Sequence, residues 1–434
     1  MKQKGMIVLS HCGFSFIEDL CGNLKAMGLA AYVLTSKPLK AEKARIEILS
    51  HHATMIHATE SHVLTEIEVD NFINALRNQN QDVLACITVW EGYRHIMAKT
   101  NIKLNACDLF PEKVELLRDK FSLRKTLNSF GLSDVNTTLL NEKNLESLKN
   151  SNKKIFVKPQ LGLASYGAFL LRQDDTWGKI REIQRHIEKD KEYQSAFNNK
   201  ISFIAEDYIG GIEYSFEIIA WNNTPYIIAI HEKIDLQESE STTLESACVS
   251  SSDRLNKKIV LKATDWLKKI FTALKINVGC YHVEAKYCDG KWEIIEINPR
   301  VGGAFISQSV ELLLQSDNLL SLWIKTLLPN ERNELQCYLK SISTDDDLFF
   351  KRKYQTFFRV YFADSVGTIQ SIYTNKIHPE PEKIKIFLQP GFKVTSLDKE
   401  IFLAQALWKL DCLDKSSIDQ ILNNSRQLLE VTYG

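Results

Sequence analysis

The sequence predicts a multidomain protein in which an N-terminal α/β domain precedes α+β domains. The first hundred residues alternate apolar strand patterns with amphipathic helix patterns, an order typical of a parallel sheet covered by helices. Farther along, "KKIFVKPQLGLASYGAFLL" and "CYHVEAKYCDGKWEIIEINPR" each contain two strand patterns separated by a connection, which indicates antiparallel pairing. A chain of 434 residues is long for one domain, so we expect about two to four lobes, each with its own core.

The composition allows a large cytoplasmic enzyme and indicates little else about function. The 54 basic and 54 acidic residues cancel, so no net field indicates a nucleic acid or an anionic membrane as partner. The apolar run Met6 to Leu9 is too short for a secretory signal, and no run is long enough to span a membrane. Nine cysteines without paired spacing are typical of reduced thiols.

The N-terminal strands are "GMIVLS", "LAAYVLTS" and "DVLACITVW", and the helix patterns are "FIEDLCGNLKAMG" and "NFINALRNQN". In parallel sheets, ligands bind at loops that follow the carboxyl ends of strands. His11, Ser36 and the Trp90–Glu91–Gly92 loop fall at such ends. Each could equally be an ordinary loop residue of an α/β domain.

A charged helical region, "PEKVELLRDKFSLRKTLNSFGL", then leads to two strands joined by a loop of small residues. The first strand ends at Lys158, and the loop contains Gly162, Ser165 and Gly167. Loop N–H groups can meet phosphate oxygens, and Lys158 would add a point charge. No Gly-Lys-Ser/Thr opens a helix, so this is not a P-loop. A plain hairpin with a surface lysine is the alternative.

The next stretch, "SFIAEDYIGGIEYSFEIIAW", reads as two strands with a break at Glu206 to Ile209. Such a connector can offer backbone groups to an adenine edge, and Glu213 can bind ribose hydroxyls; a hairpin with surface acids is the alternative. The polar segment 231–253 predicts a long loop facing the substrate, with Lys233 and Glu245 as contacts.

The stretch "WEIIEINPRVGGAF" points to a cation site. Glu296 and Asn298 are two residues apart on a strand and share a face, while the isoleucines between them share the other. A carboxylate and an amide oxygen on a sheet backed by apolar residues are costly unless a cation pairs with them. Arg300 follows directly and suits a phosphate.

The pairing of this strand with "CYHVEAKYC" can bring a second carboxylate to the same face. A three-residue turn would place Tyr287 opposite Lys291 and set Glu284, opposite Ile294, diagonal to Glu296. A two-residue turn would place Glu284 opposite Ile295 and mix acids with core residues. The hydrophobic pattern therefore favours the three-residue turn.

The last hundred residues mix strand patterns, "TFFRVYFAD", "GTIQSIY" and "KIKIFLQPG", with the helical patterns "LLSLWIKTLL" and "KEIFLAQALWKL". This mixture predicts a small α+β cap packed on the active-site face.

The order of these motifs resembles the ATP-grasp superfamily, and in detail its carboxylate–amine ligases of the L-amino acid ligase and carnosine synthase type. The motifs that carry the resemblance lie between about residues 80 and 330. The resemblance implies a Rossmann-like N-terminal domain over residues 1–110 and an ATP-grasp fold of two α+β subdomains. These are a lid over 111–205 and a metal and nucleotide subdomain over 206–330, followed by the cap over 331–434.

The resemblance also implies roles for individual residues. The implied ATP contacts are Lys120, Lys158, Ser165, Gly167, Glu206, Tyr208, Ile209 and Glu213. The implied ligands of Mg²⁺ or Mn²⁺ are Glu284, Glu296 and Asn298. The implied catalytic residues are Arg300, Lys158 and Gly303, and the candidate substrate contacts are Glu91, Lys233, Glu245 and Gly302. The loop departs from the commoner Ser-Ser-x-Gly-Val form, since Tyr166 makes it bulkier.

The function implied is ATP-dependent formation of an amide or peptide bond through an acyl phosphate, with release of ADP and phosphate. The substrates would be a small-molecule carboxylate and an amine, such as two amino acids, and a homodimer is compatible with this reading. Two alternatives stay open: an ATP-grasp enzyme of another pathway, by carboxylation or purine-type ligation, and an ATP-binding regulator without catalysis.

Overall fold

The residues that the structure describes fold into a parallel sheet and three antiparallel sheets, with helices packed on their faces. The computed structural model describes all residues except 1, 14–15, 40–41, 198–200, 239–242, 251–254, 329–331, 345–351, 353, 398 and 412–414. The helices are α1 (Ile17–Ala26), α2 (Glu42–Ser50), α3 (Glu66–Asn78), α4 (Arg94–Leu104), α5 (Pro111–Arg118), α6 (Lys120–Ser129), α7 (Glu142–Lys149), α8 (Trp177–Lys189), α9 (Lys257–Leu274), α10 (Ile306–Leu314), α11 (Leu319–Leu327), α12 (Arg332–Ile342) and α13 (Lys415–Arg426).

The strands follow the same chain order. They are β1 (Gln3–Ser10), β2 (Ala30–Thr35), β3 (Met55–Ala58), β4 (Gln81–Ile87), β5 (Thr137–Leu139), β6 (Ile155–Pro159), β7 (Phe169–Leu170), β8 (Phe203–Asp207), β9 (Ile212–Trp221), β10 (Thr224–Glu238), β11 (Thr243–Ser250), β12 (Gly279–Cys288), β13 (Lys291–Asn298), β14 (Tyr354–Phe362), β15 (Gly367–Thr374), β16 (Lys383–Ile386), β17 (Lys393–Val394), β18 (Phe402–Asp411) and β19 (Leu429–Tyr433). None of the helices described is long and apolar enough to cross a bilayer.

The N-terminal sheet is parallel, as the alternation of strand and helix patterns predicts. Its order is β3-β2-β1-β4, so the strand order reverses between β1 and β4. Apolar side chains of β1, such as Met6 and Val8, are fully buried between the helices. His11 follows β1, Ser36 follows β2 and Glu91 lies just after β4, which places all three at the carboxyl edge.

The second unit is the lid sheet, an antiparallel sheet of order β5-β8-β6-β7. Helix α8 buries Ile180, Ile183 and Ile187, at helical spacing, against Val157 and Phe203 of the sheet. Helices α5 and α6 lie in the sequence range predicted for the lid, but their apolar residues pack in the core of the next unit instead.

The third unit is the large sheet, of order β13-β12-β9-β10-β11-β14-β18-β16. Its first strands pack on α9, whose buried face includes Leu267, Ile270 and Phe271. Strand β14 pairs with β11, so residues after 331 extend the same sheet. The proposed boundary between residues 330 and 331 therefore falls within the span of one sheet. A further sheet, β17-β15-β19, completes the C-terminal part.

Three local predictions in the second half of the chain are wrong. The stretch "KEIFLAQALWKL", predicted as a helix, contains β18, which pairs with β14 and β16. Its buried residues include both Ala406 and Trp408 on one face and Leu407 on the other. A strand covered on both faces loses the alternation that identifies a strand in sequence, and tertiary pairing then overrides helix propensity.

The predicted long loop over 231–253 is also wrong where the structure describes it. Most of the segment belongs to β10 and β11, which pair antiparallel. Residues 239–242 and 251–254 of this segment lie outside the described residues. The segment is polar because side chains such as Lys233 and Glu245 pair with each other inside the fold, which a reading of polarity as solvent exposure misses.

The predicted three-residue turn between β12 and β13 is wrong as well. Asp289 and Gly290 form a two-residue turn with φ of 50° and 81°, the positive values of a type I′ turn. Cys288 therefore pairs with Lys291, and Tyr287 pairs with Trp292 rather than Lys291.

A bulge restores the predicted grouping of acids on one face. The register shifts by one residue between Glu284 and Ala285, with Ile295 as the extra residue. Glu284 then lies directly opposite Glu296 rather than diagonal to it, and His282 lies opposite Asn298. The hydrophobic pattern was therefore sufficient to predict that the acidic side chains share one face of the sheet. The register that places them there results from a bulge instead of a longer turn.

Candidate active site

A cleft lies between the lid sheet and the large sheet. Several residues predicted from the sequence line it: Lys120, Lys158, Ser165, Glu206, Tyr208, Ile209, Glu213, Glu245, Glu284 and Glu296. Others lie outside its lining: Gly167, Glu91, Lys233, Asn298, Arg300, Gly302 and Gly303. The structure thus brings most of the nucleotide candidates, and the metal candidates Glu284 and Glu296, together in one cleft, while Gly167 and Asn298 lie outside its lining.

Lys158 stands at the end of β6 and is buried. Its ammonium contacts the Glu206 carboxylate at 2.7 Å and the Ile295 carbonyl at 3.5 Å. Arg124 binds the other oxygen of Glu206 at 3.1 Å. Burial alone would raise the pKa of Glu206, but Lys158 and Arg124 lower it below its ordinary value. Nothing in the sequence distinguishes Arg124 from the other charged residues of its helix. In the structure, its side chain connects α6 to both the lid sheet and the large sheet.

Lys120 approaches the cleft from the first turn of α6. The Asp119 side chain caps this helix by accepting from the Ser122 N–H at 3.0 Å. The Lys120 ammonium then contacts the Glu296 carboxylate at 3.1 Å and donates to the Gly162 carbonyl at 3.1 Å. Lys120 thereby connects the small-residue loop to the acidic strand β13.

The small-residue loop between β6 and β7 has an unusual backbone. Ala164 and Ser165 have φ of 57° and 48°, and Gly167 has φ of 75°. Tyr166 is buried, with its ring 6.0 Å from Tyr193 and 6.2 Å from the Phe197 ring, both edge to face. The bulky residue that departs from the commoner loop form therefore anchors the loop to the lid rather than filling the cleft.

The connector after β8 also lines the cleft. Tyr208 packs near Phe156, with ring centroids 6.4 Å apart, and the Lys286 ammonium lies 5.0 Å from the Tyr208 ring. The backbone N–H of Tyr208 donates to the Lys154 carbonyl at 2.9 Å. Ile209 follows it on the same wall of the cleft.

Lys233 lies at the centre of a group of carboxylates. Its side chain is 1% exposed, and its ammonium contacts Glu213 at 2.6 Å, Glu284 at 3.0 Å, and Glu245. Burial would lower the pKa of Lys233, but the three carboxylates raise it well above its ordinary value, so the charge is retained. Glu213 also pairs with Lys286 at 3.5 Å.

These three acids form a cluster that could hold a cation, since one oxygen of each lies within 4.8 Å of the others. Burial raises the pKa of Glu245. For Glu284, Lys233 and His282 outweigh the effect of burial and lower the pKa. Glu284 is therefore the member of the cluster best suited to bind a metal as a carboxylate.

Behind Glu284 lies a buried chain of charges. The His282 imidazole is 3.1 Å from Glu284 and 3.0 Å from Glu217. Burial would lower the pKa of His282, but Glu217 and Glu284 raise it to about 10. Glu217 is completely buried and also lies 3.5 Å from His231. These contacts orient the Glu284 carboxylate.

Arg300 leaves the strand end beside Asn298. Its Nε donates to Glu91 at 2.7 Å, and its Nη1 donates to the Val301 carbonyl at 2.9 Å. The other oxygen of Glu91 accepts from Arg118 at 3.2 Å. Burial would raise the pKa of Glu91, but Arg300 and Arg118 lower it below its ordinary value. Glu91 and Arg300, which the sequence analysis named separately as candidate site residues, therefore form an ion pair with each other.

The turn that aims Arg300 is held by a residue that the sequence did not single out. Arg94 is almost fully buried, and its Nε donates to the Pro299 carbonyl at 2.8 Å. Its two terminal nitrogens bind both oxygens of Asp108 at 2.9 and 2.5 Å. The helix pattern of this region gives no sign that an arginine is buried there.

The two glycines after Arg300 differ. A Cβ at Gly302 would lie 2.6 Å from the Nδ1 of His282, so this close approach requires glycine. A Cβ at Gly303 would meet no atom within 4 Å. Asn298 donates to the Glu296 carboxylate at 2.8 Å, which leaves its amide oxygen free of that contact.

A model of the ATP-grasp domain matches residues 151–308. Residues 151–308 form an ATP-grasp domain. The resemblance drawn from the sequence motifs and the predicted fold class are confirmed. ATP-grasp proteins are ligases, and the prediction of an ATP-grasp enzyme is confirmed at this level. A comparison with curated protein sequences gives no match.

Several solved structures share the fold. The L-amino acid ligase from Bacillus licheniformis is 16% identical over 100% of both chains, with a TM-score of 0.76. Phosphoribosylglycinamide synthetase from Anaerococcus prevotii is also 16% identical over 100% of both chains, with a TM-score of 0.63. The biotin carboxylase domain of 2-oxoglutarate carboxylase from Hydrogenobacter thermophilus, solved with MgADP and bicarbonate, is 12% identical, covers 99% of this chain and 91% of its own, and has a TM-score of 0.66.

Proposed function

We propose that the protein is an ATP-dependent carboxylate–amine ligase that joins an amino acid to a second amino acid or a small amine. The observation that carries this proposal is the arrangement around the strand pair β12 and β13. Glu284 lies opposite Glu296 with Asn298 beside it, Lys120 and Lys158 face them across the cleft, and Arg300 stands at the strand end.

The donor set fits Mg²⁺, with Mn²⁺ as a substitute. Hard cations prefer carboxylate and amide oxygens, and two carboxylates face one another here with an amide next to them. Glu284, Glu296 and Asn298 would hold the metal. When bound, the metal would neutralise phosphate oxygens and act as a Lewis acid on the transferred phosphoryl group.

The nucleotide would lie between the lid sheet and the large sheet. Lys120 and Lys158 would contact its phosphates, together with N–H groups of the small-residue loop at Ser165 and Gly167. The connector Glu206 to Ile209 would flank the adenine. Glu213 would accept from the ribose hydroxyls, and since its carboxylate already pairs with Lys233, it is held in place before the ribose arrives.

Two successive substitutions complete the proposed reaction. An oxygen of the carboxylate substrate attacks the γ-phosphorus, and the bond from that phosphorus to ADP breaks. The neutral nitrogen of the amine then attacks the acyl carbon, the bond from that carbon to the phosphate oxygen breaks, and the proton lost by the nitrogen passes to the departing inorganic phosphate. Arg300 would stabilise the negative charge that shifts in both steps, with help from the N–H groups near Gly302 and Gly303.

Water must be kept from the acyl phosphate, which otherwise hydrolyses. The loop between β6 and β7 lines the cleft, and Tyr166 packs it against the aromatic rings of Tyr193 and Phe197. We expect this loop to exclude water while the amine binds.

Trapping with hydroxylamine tests the proposal. With ATP, Mg²⁺ and a panel of amino acids, the protein should release phosphate and form the corresponding hydroxamate, because hydroxylamine intercepts an acyl phosphate. Lys158→Met should abolish both products. Lys143→Met, at an exposed position on α7, is the matched control and should retain them. Phosphate release without hydroxamate from any donor would contradict an acyl phosphate.

A carboxylation reaction is the second candidate, because the fold also matches a biotin carboxylase domain. It predicts phosphate release that depends on bicarbonate instead of on an amino acid. Replacing the amino acid panel by bicarbonate in the same assay separates the two. A protein that binds ATP without turnover under either condition would be a nucleotide-binding regulator.

A further inference from the structure

We propose that Lys286 donates a hydrogen bond to a ribose hydroxyl of the nucleotide and, together with Glu213, selects a ribonucleotide over a deoxyribonucleotide. The inference rests on the nucleotide placement in the proposed function and adds a residue that recognises the sugar. Lys286 was not among the residues predicted from the sequence motifs.

Strand β12 carries Lys286 into the cleft. Lys286 follows Glu284 by two residues on this strand, so the two side chains share the face of the sheet that carries the acids. The side chain of Lys286 is among those that line the cleft. On the neighbouring strand β9, its partner in the register of the sheet is Glu213. The large sheet therefore places Lys286 and Glu213 side by side on its cleft face.

The ammonium of Lys286 lies between the positions proposed for the adenine and for the ribose. It is 3.5 Å from the Glu213 carboxylate and 5.0 Å from the centroid of the Tyr208 ring. Ile209, the next residue of the connector that would flank the adenine, lines the same cleft. The ribose of a nucleotide is bonded directly to its base, so a group between these two positions meets the sugar.

Glu213 does not depend on Lys286 for a counter-ion. One oxygen of its carboxylate contacts the Lys233 ammonium at 2.6 Å, and the other lies at the longer distance of 3.5 Å from Lys286. A hydrogen bond from nitrogen to oxygen is normally shorter than about 3.2 Å, so Lys286 forms an ion pair with Glu213 rather than a short hydrogen bond. The side chain of Lys286 is only 13% exposed. A mostly buried ammonium at this distance from its counter-ion retains part of its desolvation cost, and an acceptor supplied by a ligand reduces that cost.

A carboxylate beside an ammonium matches two adjacent hydroxyl groups. The carboxylate can only accept hydrogen bonds and the ammonium can only donate them, whereas a hydroxyl does both. One ribose hydroxyl can therefore donate to Glu213 while its neighbour accepts from Lys286, and the two side chains need not separate. A deoxyribose lacks one of these hydroxyls and would lose one of the two contacts.

Calorimetric titration with three nucleotides tests this assignment. ATP, 2′-deoxy-ATP and 3′-deoxy-ATP are titrated with Mg²⁺ in the absence of a carboxylate or an amine, so that binding is measured without ligation. Wild type should bind at least one deoxynucleotide about 10-fold or more weakly than ATP, as expected for a lost charge-assisted hydrogen bond. Lys286→Met keeps the length of the side chain and removes its charge and its donors. This variant should bind ATP about 10-fold more weakly than wild type does, but should bind that deoxynucleotide within about threefold of wild type.

Two further variants control the experiment. Lys291→Met, at an exposed position on β13, is the matched control and should bind all three nucleotides as wild type does. Lys286→Arg keeps a charged donor and should recover part of the preference for ATP. Thermal unfolding of each variant shows whether it is folded, and retained affinity for the deoxynucleotide is a result that a merely structural role of Lys286 would not produce.

The outcomes separate the inference from the function on which it rests. If wild type binds no nucleotide, the proposed function fails and the inference fails with it. If wild type binds ATP but does not distinguish it from either deoxynucleotide, the nucleotide site stands and the inference fails. The inference also fails if Lys286→Met weakens the binding of all three nucleotides equally, or of none, because its ammonium then does not contact a ribose hydroxyl.

Discussion

Replacing Arg300 by lysine tests whether the guanidinium acts on the reacting groups or only holds the fold. The structure shows Nε bound to Glu91 at 2.7 Å and Nη1 bound to the Val301 carbonyl at 2.9 Å. These contacts use only part of its N–H donors, and the remaining ones are available to phosphate and acyl oxygens. Lysine keeps the positive charge beside Glu91, but its ammonium lacks the planar, fixed arrangement of N–H donors that a guanidinium offers.

The expected loss in kcat follows from the number of guanidinium donors that the lysine variant lacks. Removing one preorganised donor to a developing oxyanion lowers kcat by about 100- to 1,000-fold. We therefore expect Arg300→Lys to lose about 100-fold in kcat. The affinity for ATP should change little, since Lys120 and Lys158 still face the phosphates. Calorimetric titration of ATP, alongside amine-dependent phosphate release, measures both quantities.

Arg118→Lys is the control for this experiment. Arg118 binds the other oxygen of Glu91 at 3.2 Å and donates to the Ala196 carbonyl, so it supports the same carboxylate from farther away. It should lose less than about tenfold. An equal loss in both variants would mean that the effect runs through the position of Glu91. A large loss of ATP affinity, with unchanged turnover per bound nucleotide, would mean that Arg300 only binds the nucleotide and does not act on the reacting groups.

Four further changes have defined outcomes. Glu296→Gln should reduce kcat by at least about 100-fold while the melting temperature stays near that of wild type, and normal turnover at saturating Mg²⁺ would refute the metal role. Glu213→Ala should raise KM for ATP about tenfold at similar kcat, whereas an unchanged KM would exclude a ribose contact. Glu217→Gln should lower the free energy of unfolding by about 3 kcal/mol at pH 7, measured in urea. Burial would raise the pKa of Glu217, but His282 and His231 outweigh it and lower this pKa from 4.5 to about 2. The stabilisation by ionised Glu217 is therefore present above pH 4.5 and is lost as the pH falls toward 2. The free energies of unfolding of wild type and variant should converge over that range. Finally, calorimetry without Mg²⁺ should show weaker ATP binding by at least about tenfold, and equal binding with and without the metal would argue against a shared site.

The face that carries the metal candidates was predictable because strand periodicity leaves little choice. Glu296 and Asn298 alternate with isoleucines, so only one register keeps acids off the core. The bulge at Ile295 was not predictable from that pattern. Turn chemistry and hydrophobic pattern required different registers, and the bulge is the local cost of satisfying both.

The N-terminal sheet was equally accessible to sequence reasoning, and the C-terminal part was not. Strands β1 and β4 are short apolar runs with helices between them, which permits one class of fold. Strand β18 contains "FLAQALWKL", whose residues are good helix formers. Its state is decided by pairing with β14 and β16, which are distant in sequence, so local propensity gives the wrong answer.

Supporting residues were the largest omission in the site. Arg124 binds Glu206 directly, whereas Arg94 supports Arg300 through the Pro299 carbonyl and Glu217 supports Glu284 through His282. The opposite charges that pair with these buried groups are distant in sequence, such as Asp108, 14 residues from Arg94, and Glu206, 82 residues from Arg124. A single sequence shows a charge but not its partner, and a charged helix face is normally solvated.

The charge pairs of the cleft give the reason to expect that nucleotide and metal bind together. Lys120 contacts Glu296, and Lys158 contacts Glu206, so the lysines proposed for phosphate neutralise acids before any ligand is present. If phosphates alone recruited Lys120, Glu296 would be left as a partly buried carboxylate without a cation, which is costly. If a metal alone bound Glu296, the displaced ammonium would be left without an anion. When metal and nucleotide enter together, Glu296 gains the metal as Lys120 gains a phosphate, and Glu206 keeps Arg124 as its cation when Lys158 binds a phosphate, so no charge is stranded. The penalty for omitting either partner is the coupling energy that calorimetry with and without Mg²⁺ measures.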